Sequence, residues 1–454
     1  MTAAVAELAA PIGDRRELVE WFEQGCKPPE DWRCGTEHEK FVFRRSDLTR
    51  PGYDDPDGIG ELLHRLEAFG WKPKREAGKT IALVMDGASI TLEPGGQFEL
   101  SGAPLETVHQ TCDEVHDHLD QCRQVGDAMG LGFVGLGFDP KWRREDIPWM
   151  PKGRYAVMRR YMPTVGTLGL DMMLRTCTVQ VNLDYADEAD MVDKFRLSLA
   201  LQPLTTVLFA DSPFKEGALT DHLSLRSHVW TDTDPDRCGM LGFVFEDGFG
   251  FDRYTEYCLD VPMYFVYRDG RYIDVAGRSF RDFMEGRLPE LPGERPNIDD
   301  WSDHVTTAFP EVRMKRYLEL RGADGGPWGR LCGLPALWIG LLYDGAACAA
   351  GWDLCKHWTD EERERLRVEA PRLGFDAEVG GRSLRDIAKD MVAIARQGLK
   401  ARARLDGAGN DETGFLTDLE EIAESGITAA ERKRALFEGR WGGKVDPVFE
   451  EFAY

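Results

Sequence analysis

Gly35-Thr36-Glu37-His38-Glu39-Lys40-Phe41 is the stretch on which the fold turns. In an extended chain alternate side chains take opposite faces, so Glu37, Glu39 and Phe41 share one face and Thr36, His38 and Lys40 the other. Two carboxylates aimed the same way repel. That suits a wet strand face, or a site where a hard cation sits between the oxygens. Alone, the pattern reads as a solvated strand. A second acidic stretch, Leu92-Glu93-Pro94-Gly95-Gly96-Gln97-Phe98-Glu99-Leu100, lies in apolar sequence and shifts the balance. Asp86-Gly87 is a two-residue hairpin signal and Pro94-Gly95-Gly96 a second turn, so Thr80 to Gly102 is predicted to form three antiparallel strands. Glu93 is expected to end the middle strand and face Glu99 across the ladder. Among apolar neighbours such carboxylates are costly unless paired or bound to metal.

Working outward, a helix is predicted over 14–25 and another from Ile59 through Leu62, Leu63, Leu66 and Phe69 to Gly70. A longer helix over 105–129 carries Val108, Cys112, Val115, Leu119, Cys122 and Met129 on one seam. His109, His116 and His118 fall on its other faces, toward solvent. Residues 131–138 read as a Gly-rich strand, 151–175 as loop, and 175–185 as a strand with Gln180, Asn182 and Asp184 on its polar face. A long apolar helix spans 188–210, a second Asp-Gly hairpin sits at Asp269-Gly270, and 316–321 reads as a strand presenting Glu319 and Arg321. After Gly329 the chain is predicted to be helical almost throughout.

The 454 residues suffice for one large domain or two closely joined ones. We expect a single catalytic domain over 1–454, rich in sheet over about 30–325 and mainly helical over 326–454. With 80 acidic against 56 basic residues the net charge is -24, which repels a phosphate backbone and excludes nucleic acid as partner. The ten cysteines show no CxxC or zinc spacing and read as free thiols in a reducing compartment. No apolar run reaches about 18 residues and 1–12 lacks an export signal, so no membrane association is expected. No GxxxxGK[ST] loop is present. Glu37, Glu39, Glu93, Glu99 and Glu319 all fall on or beside predicted antiparallel strands. One curved sheet lining a cavity with them would make a Mg²⁺ cage for nucleotide phosphates.

The segments GTEHEKF, LEPGGQFELSGAPLETVHQTC, MPKGRY, YMPTVGTLGLDMMLRTCTVQVNLD, SHVWTDTD and the tail WGGKVDPVFEEFAY resemble the plant-type glutamate-cysteine ligases, which also occur in proteobacteria. The likeness runs from about residue 14 to 454. It implies an α+β fold, an antiparallel sheet curved into a funnel with surrounding helices, as in glutamine synthetase and the guanidino kinases. It also implies ATP-dependent joining of the L-glutamate γ-carboxylate to the L-cysteine amine through γ-glutamyl phosphate, the first step of glutathione biosynthesis. Position by position, the resemblance assigns Mg²⁺ to Glu37, Glu39, Glu93, Glu99, Gln180 and Glu319, and substrate carboxylates to Arg154 and Arg226. Arg321 becomes an ATP phosphate contact and Tyr264 a member of the cysteine pocket. Glu37, Glu93 and Arg226 would act most directly in catalysis. Cys112 and Cys332 match one redox pair of the plant relatives, whereas Val275 and Glu290 replace the other. Feedback inhibition by glutathione, a monomeric or homodimeric state, and a cytoplasmic rather than plastid location complete what the likeness implies. A ligase of the same mechanism with another amine acceptor, or a silent glutamate or nucleotide sensor, stays open at this stage.

Overall fold

The computed structural model describes residues 10–454, so most of the stretch 1–12 read for an export signal lies outside the described residues. In chain order the strands of the main sheet are β1 (Cys34–Arg44), β2 (Lys72–Glu76), β3 (Lys79–Met85), β4 (Ala88–Leu92), β5 (Phe98–Ser101), β6 (Leu131–Val134) and β7 (Thr178–Leu183). A late hairpin, Val312–Met314 and Leu318–Asp324, completes it. Across the sheet the order is Val312–Met314, Leu318–Asp324, β7, β1, β5, β4, β3, β2, with β6 on the far half of β1, nine strands in all. Every pairing is antiparallel. β1 is the axis: it pairs β7 and β5 over the Glu37 region and β6 from Phe41 to Arg44.

The turns explain the topology. Asp86 and Gly87 take φ of 48° and 90°, the left-handed pair of a two-residue hairpin whose twist matches its strands. Ala77 and Gly78, at 48° and 82°, make the same turn between β2 and β3. The charged Lys72-Pro73-Lys74-Arg75-Glu76 gives no strand signal, yet an edge strand tolerates both proline and charge. Residues 151–175, expected as loop, instead form α-helices over Gly153–Tyr161 and Gly169–Arg175. Neither is long enough to show a periodic stripe. The strand expected over 316–321 lies further on, at Leu318–Asp324, because the turn falls after Met314.

The helices used below are α1 (Arg16–Glu23), α2 (Ile59–Leu66), α3 (Val108–Met129), α4 (Gly153–Tyr161), α5 (Gly169–Arg175), α6 (Glu188–Leu208) and α7 (Leu225–Val229). α3 opens on a reciprocal cap between Thr107 and Gln110 and closes at Gly130 with φ of 69°. It lies behind β1, and this overturns part of the histidine reading: His118 is buried, His109 half-buried, and of the three only His116 is exposed. Lys40, on the same hidden face of β1, bonds His118 Nε2 at 2.9 Å and donates to the Phe98 carbonyl at 3.2 Å. α6 is buried on nearly all sides between the sheet and the later helices Gly345–Cys355, Asp360–Leu373 and Leu384–Arg402. The helices Trp328–Leu342 and Leu384–Arg402 cross so closely that a Cβ on Gly398 would stand 1.8 Å from the Gly340 carbonyl oxygen. Among the described residues no single helix is long and apolar enough to cross a membrane.

Candidate functional site

A cavity of about 380 Å³ opens on the sheet face that carries Glu37 and Glu39. Register places its acids. Glu37 stands opposite Ser101 on β5 and Gln180 on β7, Glu39 opposite Glu99, and Glu99 in turn opposite Thr91 on β4. Glu93 does not face Glu99 as expected. It follows β4 and enters the turn, where its N–H donates to the Gln97 carbonyl at 3.0 Å. It nevertheless lines the cavity. Glu37 accepts from Asn182 Nδ2 at 2.8 Å, Glu39 from the Thr178 amide at 3.0 Å, and Glu99 from Thr91 at 2.6 Å and Ser101 at 2.9 Å.

These bonds orient the carboxylates without neutralising them. Burial, with Glu319 and Glu99 nearby, pushes the Glu37 carboxyl up to about 7. Burial and the charges of Glu93 and Glu99 raise Glu39 well above the usual range, and burial with Glu93 raises Glu99. Without a metal, Glu37, Glu39 and Glu99 are therefore held toward their protonated forms, and none makes an ion pair among the described residues; a hard cation would supply the charge that lets them ionise together. Glu319 differs. Burial would raise its carboxyl, but Arg313, Lys315 and Arg321 hold it well below the usual carboxylate range. Arg313 grips both its oxygens at 2.6 and 2.8 Å. Gln180 is likewise engaged, accepting from Arg321 at 3.0 Å. Among the described residues no three acidic, His or Cys side chains close round one point. The single five-acid cage expected from sequence is thus replaced by three uncompensated acids with Glu93 beside them, and by a Glu319 already neutralised.

The opposite wall is cationic. Lys152 and Arg154 come from the start of α4, and Arg226 from the second position of α7. Burial with Arg154 alongside lowers the Lys152 ammonium to about 8. Arg226 is only 3% exposed, donates to the Arg321 carbonyl at 2.7 Å, and leaves its buried Nε without a partner. Arg321 lines the cavity between Trp230 and Phe309, 5.8 Å from each ring, where the strand bulges past β7. Arg226 is held by a network that sequence reading missed. Asp324 accepts from the Asp211 amide at 2.8 Å, from Ser212 at 2.6 Å and from Ser224 at 2.7 Å. Ser212 accepts the Arg226 amide at 3.2 Å, and Ser224 caps α7. Lys152, Arg313, Lys315 and Asp303 also line the cavity. The alternation Arg313-x-Lys315 before Glu319 was the available signal for two of them.

Tyr264 is not brought to the cavity. It is 1% exposed, its hydroxyl donates to Met162 sulfur at 3.4 Å, and the Arg237 guanidinium lies 3.9 Å from its ring. A large apolar ring flanked by Met162 and stacked on a buried cation is core. All ten cysteines are free, and the Cys112 and Cys332 thiols, on α3 and the helix Trp328–Leu342, lie near enough for each to shift the other's titration, Cys112 down and Cys332 up.

The site is an acidic sheet wall facing buried cations, an arrangement that can take phosphates with a cation and carboxylates together. Comparison with known proteins agrees. The model of glutamate-cysteine ligase family 2 matches residues 33–451. The chloroplastic glutamate–cysteine ligase of Brassica juncea is 56% identical over 441 residues, 97% of this chain and 84% of that one. Glutamate–cysteine ligase B, chloroplastic, of Oryza sativa subsp. japonica is 54% identical over 454 residues, 100% and 90% of the two chains. The solved glutamate–cysteine ligase of Francisella tularensis, in complex with AMP, shares the fold with a TM-score of 0.55 at 12% identity, covering 93% of this chain and 89% of that one. The cytoplasmic location expected from sequence is overturned by these relatives, since the similar plant enzymes are chloroplastic. The chain belongs to glutamate-cysteine ligase family 2.

Proposed function

We propose that residues 1–454 act as one catalytic unit that joins L-glutamate to L-cysteine at the expense of ATP, forming γ-glutamylcysteine in the cavity on β1. The observation that carries the reading is that Glu37, Glu39 and Glu99 share one cavity with Arg154 and Arg226, and none of the five makes an ion pair among the described residues. The γ-carboxylate of glutamate attacks the terminal phosphorus of ATP, giving γ-glutamyl phosphate and ADP. The cysteine amine then attacks the acyl carbon, phosphate leaves, and the amine loses its proton. Arg226 holds a glutamate carboxylate by paired N–H donors, and Arg321 contacts phosphate. Glu37, Glu39 and Glu99, with Glu93 adjacent, would hold Mg²⁺, which when bound neutralises charge on the phosphates. Glutathione carries the same γ-glutamyl-cysteine moiety and is proposed to inhibit by occupying this cavity. The test is ADP release measured with each substrate omitted in turn. Release needing glutamate and Mg²⁺, and product needing cysteine, supports the reading; no turnover with all components present defeats it.

Two predictions follow from neighbouring geometry. Asp324→Asn keeps shape but weakens three hydrogen bonds around α7, so KM for glutamate should rise about fivefold with little change for ATP. Equal changes for both would make Asp324 a general fold residue. The Cys112 and Cys332 thiols are proposed to form a reversible disulfide under oxidant. Peptide mapping should find the cross-linked peptide in oxidised protein and lose it with reductant; its absence would leave both thiols as packing.

A further inference from the structure

We propose that Asp303 and Arg154 together grip the two charges of an α-amino-acid zwitterion, Asp303 taking the ammonium and Arg154 the carboxylate. This rests on the reading of the cavity as the ligase site. The helix Ile298–Val305 seats Asp300, Trp301, His304 and Val305 inward, which leaves Asp299 and Asp303 on its exposed side. Asp300 is already spent: Arg268 grips it at 2.7 and 2.8 Å, and it accepts the Asn297 amide at 2.9 Å in the helix cap. Asp303, one turn on, lines the cavity. Among the described residues its carboxylate has no ion pair and no hydrogen bond; only its backbone carbonyl is used, by Thr306. Asp303 keeps part of its surface on solvent; its partial burial and Asp300 push its carboxyl up, and Arg154, which lines the same cavity, opposes them. They stand further apart than an ion pair. Arg154 lies 5.4 Å from the Tyr155 ring and has no acid at pairing distance among the described residues.

Opposite charges held apart across a cavity wall match a ligand that carries both. A nucleotide phosphate would suit Arg154 but be repelled by Asp303, and a metal cation would suit Asp303 but be repelled by Arg154 and Lys152. A free amino acid satisfies both at once. Phe265 and Met158, which line the same cavity, supply apolar surface for its carbon chain. Charge-assisted hydrogen bonds from an ammonium to a carboxylate are among the stronger polar contacts, and Asp303→Asn would remove the charge while keeping the size.

The experiment uses the full-length protein with Asp303→Asn and Asp303→Ala, measuring KM for glutamate, cysteine and ATP together with the thermal midpoint. KM for one of the two amino acids should rise about tenfold or more, with ATP and the midpoint unchanged. The arms identify which: if glutamate is gripped, its KM rises while inhibition by glutarate, which lacks the ammonium, is unaffected; if cysteine is gripped, only the cysteine KM rises. Both amino-acid constants staying within about twofold of the parent, or an equal rise for ATP, overturns the proposal. Failure of the parent protein to turn over would instead count against the ligase reading itself.

Discussion

Glu37→Gln is expected to lower kcat between roughly a hundredfold and ten-thousandfold, several kcal/mol of transition-state stabilisation, while the protein remains folded. Glutamine keeps the shape and can still accept from Asn182, which now bonds Glu37 at 2.8 Å. What it lacks is the charge proposed to hold Mg²⁺. The same residue makes a stability prediction with a definite sign. In metal-free protein its carboxyl is raised from 4.5 to about 7, so the folded state binds the proton more tightly than the unfolded. Its contribution is therefore fully present below pH 4.5 and is lost as pH rises through about 7. Metal-free protein should lose thermal midpoint across that interval. Mg²⁺ should restore the midpoint more at high pH than at low, and Glu37→Gln should flatten both dependences. An enzyme with Glu37→Gln and near-parental turnover would remove Glu37 from the proposed metal site.

Arg226→Lys should reduce kcat/KM for glutamate about a hundredfold and leave KM for ATP nearly unchanged. Lysine keeps the positive charge but not the planar pair of donors that a carboxylate accepts side by side. The parent guanidinium is 3% exposed, with a buried Nε that has no partner, so it already carries an unmet donor that a substrate can satisfy. Its backbone is fixed through Ser212 and Asp324 at 3.2 and 2.6 Å, which keeps the side chain aimed without substrate. Steady-state kinetics with each substrate varied separately checks this. Equal losses for glutamate and ATP would make Arg226 a support for the fold.

The sheet was legible in sequence wherever two-residue turns and alternation agreed. Asp86-Gly87 and the Val179 to Leu183 alternation placed β3, β4 and β7, and the shared face of Glu37 and Glu39 did become one cavity wall. What sequence did not show was which side chains partner one another, both across a nearby turn and across long separations. Glu319 looked like one more free acid, but Arg313 and Lys315, neighbours through a hairpin that was not foreseen, neutralise it. Glu93 was put opposite Glu99 because the Pro94-Gly95-Gly96 turn was read as centred one residue too late; the ladder instead pairs Thr91 with Glu99. Tyr264 and His118 show the same limit in the other direction. Each was placed by residue type or helix face, and each is buried by elements distant in the chain, Arg237 for one and Lys40 for the other. Asp324 offered no motif at all, since its role is set by hydrogen bonds to serines about a hundred residues away.

The central claim is that the β1 cavity activates glutamate as an acyl phosphate and passes it to cysteine. Glutamate labelled with heavy oxygen in its γ-carboxylate tests it in a single turnover reaction with ATP, Mg²⁺ and cysteine. The account predicts that one labelled oxygen appears in the released phosphate, in equal amount with γ-glutamylcysteine, and that Glu37→Gln suppresses both together. Dipeptide formed with unlabelled phosphate, the displaced labelled oxygen appearing in water instead, would contradict it.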